Sequence, residues 1–144
     1  MESRNRSAFH EYFIEDKYDA GMVLTGTEVK SLRAGKASFN DSFCIIDNGE
    51  VWLKNLHISE YSYGTYANHP PVRDRKLLLK KKEIRKLVNK LKDKGYTLIP
   101  LKIWFSENGF AKIQIGLAKG KKLHDKRASI KEREAKRELG KYIK

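Results

Sequence analysis

Four histidines, His10, His57, His69 and His124, and one cysteine, Cys44, are the side chains of this chain best suited to metal binding or nucleophilic chemistry. A zinc site needs ligands at close spacing such as C-x2-C or H-x3-H, and neither pattern occurs. A phosphate-cradling Walker loop is not formed either, since GLAKGKK at 116–122 resembles one only superficially. No Ser, His and Asp set and no carboxylate pair can be assembled from spacing. Such groups can converge from distant positions, so an enzyme is unsupported by spacing, and no metal or cofactor is expected. Cys44 sits in the apolar run FCIID, where a buried inert thiol is expected, and a single cysteine excludes an intramolecular disulfide.

Two sets of residues suit nucleic acid better than catalysis. His124 lies between Lys121-Lys122 and Asp125-Lys126-Arg127, a setting in which an imidazole can stack on a base, the alternative being a surface histidine of no consequence. Tyr61, Tyr63 and Tyr66 could also stack, although loop tyrosines more often pack against a domain edge.

Charge gives the same direction. The 144 residues carry a formal net charge of +13, and Lys119 to Lys144 hold 11 Lys or Arg against 4 Asp or Glu, a net of +7 in 26 residues. Such a balance calls for a polyanionic partner, with nucleic acid ahead of a membrane surface because the basic segment has only a thin apolar stripe. No apolar run approaches the roughly 18 residues that span a bilayer, and MESRNRSAFHEYF has no apolar signal region, so a cytoplasmic location is expected.

The elements that must position these residues follow from periodicity. Phe9 to Leu24 reads as an opening β element, with Asp19-Ala20-Gly21 as a turn between two short strands. GTEVKSLRAGK reads as a helix capped by Thr27 and ended by Gly35, with Val29 and Leu32 on one face and Glu28, Lys30 and Arg33 on the other. Asn48-Gly49 predicts a β-hairpin over about residues 43 to 58. Tyr61 to Arg75, with Pro70-Pro71, reads as an exposed loop, and Leu77 to Leu79 as a short extended segment. Ile84, Leu87, Val88 and Leu91 fall at i, i+3, i+4 and i+7, which predicts an amphipathic helix stopped by Gly95.

A second hairpin is expected around Asn108-Gly109. Its first strand would turn Thr97, Ile99, Leu101, Ile103 and Phe105 to one side, and its second Ala111, Ile113, Ile115 and Leu117. Five or six strands with a helix before the last hairpin predict a mainly β fold with helices, an OB-type Greek-key β-barrel with one or two flanking helices, a half-open α+β sheet being the alternative. The expected division is a barrel over 1–118 and a basic C-terminal tail over 119–144.

At 100° per residue the tail places Lys126, Arg133, Arg137, Lys141 and Lys144 on one side and Ala128, Ala135, Leu139 and Tyr142 on the other. So thin an apolar stripe packs weakly, and Gly140 weakens the last turn by about 1 kcal/mol relative to alanine. The tail is expected to be disordered when free and helical when bound to phosphates.

GTEVKSLRAGK, followed by DSF, NHPPVRDRKLLL, KGYTLIPL and GLAKGKKLHDKRASIKERE in that order, resembles the SmpB family from about Phe9 to the C-terminus. The resemblance implies an OB-type barrel that binds the tRNA-like domain of transfer-messenger RNA. It also implies delivery of that RNA, alanylated and with elongation factor Tu bound through the RNA, to ribosomes stalled without a usable codon. By that resemblance the RNA-contact residues are Asp19, Glu28, Lys30, Arg33, Leu78 and Lys80, with Lys112, Lys119, Lys121 and Lys122 extending the basic surface. Asp19 stands where glutamate is more usual, Lys80 where histidine or asparagine is common, and Ala135 where tryptophan is frequent.

For the tail, the resemblance implies a path into the empty messenger channel of the small ribosomal subunit. His124 would lie near the decoding centre, and Lys126, Arg127, Lys131, Arg133 and Arg137 would contact ribosomal RNA. The expected agent is a monomeric RNA-binding accessory factor. Two other readings are a generic rRNA-binding OB protein and an RNA-processing enzyme using His124 and Asp125.

Overall fold

Strands of alternating apolar and polar residues can close on themselves when each gives one face to a common interior, and this chain does so. In the computed structural model the described residues are 2–62 and 68–121. They form β1 (Glu2–Arg4), α1 (Arg6–Glu11), β2 (Tyr12–Met22), α2 (Gly26–Arg33), β3 (Ala37–Ser38), β4 (Phe43–Asp47), β5 (Glu50–Lys54), β6 (His57–Ile58), β7 (Arg75–Leu78), α3 (Lys81–Leu91), β8 (Tyr96–Phe105) and β9 (Ala111–Gly120).

Strands β8, β4, β5, β7, β2 and β9 are neighbours in that order, and β9 pairs back onto β8, closing an antiparallel ring. The β4–β8 seam is narrow, with Cys44 opposite Leu98. This is the expected mainly β, OB-type barrel: β4, β5 and β7 follow in sequence, α3 crosses over, and the β8–β9 hairpin finishes the ring. The long β2 is inserted between β7 and β9, which makes six strands. The interior is filled by Leu32, Val51, Leu53, Leu56, Leu98, Ile103, Ile113, Ile115 and their neighbours. Each such side chain contributes about 1.5–3 kcal/mol by leaving water.

Several expectations are corrected. Asp19-Ala20-Gly21 is not a turn, because β2 runs unbroken for 11 residues and all three pair with β9. The α2 cap is Thr25, not Thr27: Thr25 Oγ1 accepts the Glu28 N–H while the Glu28 carboxylate accepts the Thr25 N–H. Phe9 and His10 belong to α1, not to a strand. The 61–75 segment is anchored where it is described, since His69 is buried and Arg75 begins β7 inside the protein.

Strand β8 also departs from one-sided burial. Ile99 and Leu101 face outward, where with Ala118 they meet Ala8 of α1 in a second small core, and the register shift between Pro100 and Lys102 returns Ile103 to the interior. The first strand and helix thus exist to cover the outside of the barrel at one end. Strand β9 continues to Gly120, two residues beyond the expected barrel limit of 118. The helix expected from His124 onward, with Lys126, Arg127, Lys131, Arg133 and Arg137, lies outside the described residues, as do Lys122, Tyr63 and Tyr66. Among the described residues no helix is long and apolar enough to cross a membrane.

Candidate RNA interface

Because side chains alternate along a strand, the outward residues of β2, β9 and β8 form a lattice on the barrel surface. One row is Gly21, Lys112 and Trp104, and the next is Asp19, Gln114 and Lys102. Neighbouring strands lie about 4.8 Å apart, so polar groups in adjacent columns can act on one ligand.

At the edge of this lattice, β7 and the start of α3 wall an open depression of roughly 640 Å³. It is lined by Lys17, Tyr18, Asp19, Gly21, Leu78, Leu79, Lys80, Glu83, Lys112 and Gln114. Four residues expected at the interface, Asp19, Leu78, Lys80 and Lys112, therefore converge although they come from three strands and a helix cap.

Each is held by ordinary local forces. Gly21 pairs with Leu78 across β2 and β7, and Leu78 stays 53% exposed, an apolar platform beside a residue without a side chain. Lys80 precedes α3 and its N–H donates to Glu83 Oε1 at 3.0 Å, which fixes the backbone there and leaves the residue exposed. Asp19 Oδ1 accepts from Gln114 Nε2 at 3.3 Å. Chemically, the lysines suit phosphates, the Asp19 carboxylate suits base amino groups or 2′-hydroxyls, and Leu78 suits a sugar or base face.

Glu28 is elsewhere, and the solvent-side position that helical spacing gave it beside Lys30 and Arg33 is corrected. Its side chain is 0% exposed. Arg73 grips it with Nε at 3.0 Å and Nη2 at 2.6 Å, Arg75 Nε reaches it at 2.6 Å, and the Thr25 N–H donates at 2.9 Å. Burial alone would raise the Glu28 carboxyl, but the hydrogen bonds from Arg73, Thr25 and Arg75 and the charge of Arg75 outweigh it and hold the group below the usual carboxylate range. Burial draws Arg75 down while Glu28 opposes it, and the guanidinium stays charged. Arg75 also donates to the Leu56 and Pro71 carbonyls. Beside this network His69 bridges Thr27 Oγ1 at 2.8 Å and the Ile58 carbonyl at 2.9 Å, so the imidazole is a structural tie. The carboxylate thus orients arginines, and Arg73 is the one left 30% exposed.

The remaining expected residues are spread. Lys30 and Arg33 are exposed on α2, Lys30 over the Tyr61 ring and Arg33 4.2 Å from the centre of the Phe105 ring. Arg33 also donates weakly to the Gly109 carbonyl at 3.4 Å. Lys119 lies over Tyr96 and Lys121 over Phe13, with Lys121 Nζ donating to the Phe9 carbonyl at 2.9 Å. Lys119 lies seven positions along β9 from Lys112, about 23 Å at strand spacing, so Lys119 and Lys121 stand at the other end of that strand. Cys44 is buried, and burial pushes its thiol up, away from reactivity.

Sequence reading missed Lys17, Tyr18 and Gln114, which line the depression, and Arg73. Lys17 and Gln114 carry a findable signal, being the outward members of an alternating strand that already contained Asp19 and Lys112. The Tyr18 hydroxyl is buried without a hydrogen-bond partner among the described residues, and burial, with Asp16 and Glu83 nearby, raises it.

Comparisons with known proteins agree with this fold. The family model described as SmpB protein matches residues 2–144. The SsrA-binding protein of Geobacter sulfurreducens is 55% identical over 140 residues, 97% of this chain and 91% of its own. That of Bacillus cereus is 57% identical over 142 residues, 99% of this chain and 91% of its own. A solved structure described as "tmRNA-SmpB: a journey to the center of the bacterial ribosome" superposes with a TM-score of 0.72 at 54% identity, covering 83% of this chain and 84% of that one. With its barrel, its ordered motifs and a match across nearly its whole length, the chain belongs to the SmpB family.

Proposed function

We propose that this protein binds the tRNA-like domain of transfer-messenger RNA on the outer face of its barrel and delivers that RNA to stalled ribosomes. The observation that carries the reading is the convergence of Asp19, Leu78, Lys80 and Lys112 in one open depression. Membership of a family whose relatives are named SsrA-binding proteins supports the identity of the RNA. Lysines neutralise phosphates, and the neighbouring carboxylate and leucine supply contacts that bare charge cannot. Glu28 acts at one remove, by holding Arg73 at the surface.

The same reading extends to the tail. Residues past the end of β9 fill the vacated messenger channel, with His124 near the decoding centre and Lys126, Arg127, Lys131, Arg133 and Arg137 on ribosomal RNA. Lys119, Lys121 and Lys122 join the barrel surface to that path. The protein acts as a monomeric, non-enzymatic, cytoplasmic factor, and elongation factor Tu joins through the RNA.

Competition binding tests the RNA identity. Labelled tRNA-like domain bound to the full chain is expected to be displaced by the same RNA and poorly by bulk rRNA at matched salt. Equal displacement by both would favour a generic rRNA-binding protein. For the tail, a chain ending at Lys122 is expected to keep RNA binding and lose tagging of stalled peptides, and unchanged tagging would contradict the sensing role.

A further inference from the structure

Next to the depression lies a second hollow of about 340 Å³ whose lining includes Arg4, Arg6, Phe9, Lys17, Lys102 and Gln114. We propose that Arg4, Arg6, Lys17 and Lys102 form a phosphate pocket that holds the backbone of the same RNA beyond the depression. This inference rests on the RNA-binding reading above and extends it to residues outside the expected interface.

Three observations carry it. First, the lining holds four cations and no carboxylate, drawn from β1, α1, β2 and β8. Secondly, Arg4 stands directly opposite Lys102 in the β1–β8 register. Like charges directly across a ladder oppose pairing, and a bound anion would reverse that effect. Glu2 engages Arg4, while Lys102 rests on the Trp104 ring and Arg6 has neither a salt bridge nor a side-chain hydrogen bond among the described residues. Thirdly, Lys17 and Gln114 line both hollows. The two are therefore one continuous surface, and an RNA strand seated on Lys112 and Asp19 would meet Lys17 and then Lys102 as it crossed the lattice.

The pocket is also built rather than accidental. Asn5, between β1 and α1, donates its side-chain amide to the Pro100 carbonyl at 2.8 Å and its backbone N–H to the Leu101 carbonyl at 2.8 Å. These bonds dock the N-terminal segment on the β8 irregularity and fix Arg4 and Arg6 on either side. Phe9, 48% exposed with the Lys17 ammonium 5.2 Å from its ring centre, supplies a flat apolar wall against which a ribose or base could lie.

The test measures affinity of the full chain for the tRNA-like domain across a salt series. The double variant Arg6→Gln with Lys102→Gln is compared with Arg85→Gln with Lys86→Gln, which removes two exposed cations of α3. The first is expected to lower the slope of log affinity against log salt by about 1 to 2, near one per lost phosphate contact, with no loss of melting temperature, since Lys102→Gln also relieves the repulsion from Arg4. The second should leave the slope within error of the wild type. An unchanged slope for Arg6→Gln with Lys102→Gln, in a wild type that binds the RNA, would overturn the pocket and leave the RNA-binding reading standing. Equal losses from both pairs would reduce the effect to net charge and overturn it as well. A wild type that fails to bind the RNA would remove the wider reading and the pocket together.

Discussion

At the residue scale, Glu28 shows how a buried side chain can orient a surface arginine. A carboxylate with 0% exposure survives because two guanidiniums and one N–H complete its hydrogen bonds. Glu28→Gln leaves Arg75 buried and uncompensated, and a loss of about 3–5 kcal/mol in urea denaturation is expected. Since the folded carboxyl is held below its ordinary value, its stabilisation is complete above the unfolded value of about 4.3 and is lost as pH falls through the folded value. The wild type should therefore weaken on acidification below about pH 4, and the Gln variant should lack Glu28's share of that slope. The buried state of this residue was not legible in the sequence. Its partners are 45 and 47 residues away, and helical spacing alone put Glu28 on the solvent side with Lys30 and Arg33.

At the element scale, the sequence was legible wherever a local pattern decided the outcome. Asn48-Gly49 joins β4 to β5 with both residues at positive φ, 51° and 73°, the backbone that this dipeptide accepts most readily. The spacing of Ile84, Leu87 and Leu91 likewise gave α3. Elements stabilised from outside themselves were not legible. Strand β1 has three residues, ESR, and depends on the β8 edge, while α1 has six and depends on Ala8 packing against Ile99, Leu101 and Ala118.

That dependence makes Gly116 a sensitive point of the outer layer. A Cβ there would sit 3.0 Å from both Ile14 Cγ2 and Leu101 Cδ1. Gly116→Ala is expected to cost about 1–3 kcal/mol through overpacking, seen as a lowered melting temperature. A variant as stable as the wild type would mean that the second core is loosely packed.

At the scale of the whole molecule, inserting β2 between β7 and β9 creates the depression proposed to hold RNA. It brings Asp19 and Gly21 beside Leu78 on one flank and Lys112 on the other, residues up to 93 positions apart. The family motifs identified most of these residues beforehand, but only barrel closure explains why Asp19, Leu78, Lys80 and Lys112 meet while Lys119 and Lys121 stand at the far end of β9. A charge-rich surface of this kind predicts affinity that falls steadily with salt, by a slope of about 0.9 for each phosphate contact on duplex regions. A flat response in a salt titration would rule out the electrostatic part of the account.

The most direct test is the affinity of the tRNA-like domain of transfer-messenger RNA for the double variant Leu78→Ala with Lys112→Gln at fixed salt. Loss of an apolar platform and a phosphate contact from one depression predicts binding weaker by roughly tenfold or more, with an unchanged melting curve. Wild-type affinity in that folded variant would contradict the placement of the RNA on this face of the barrel.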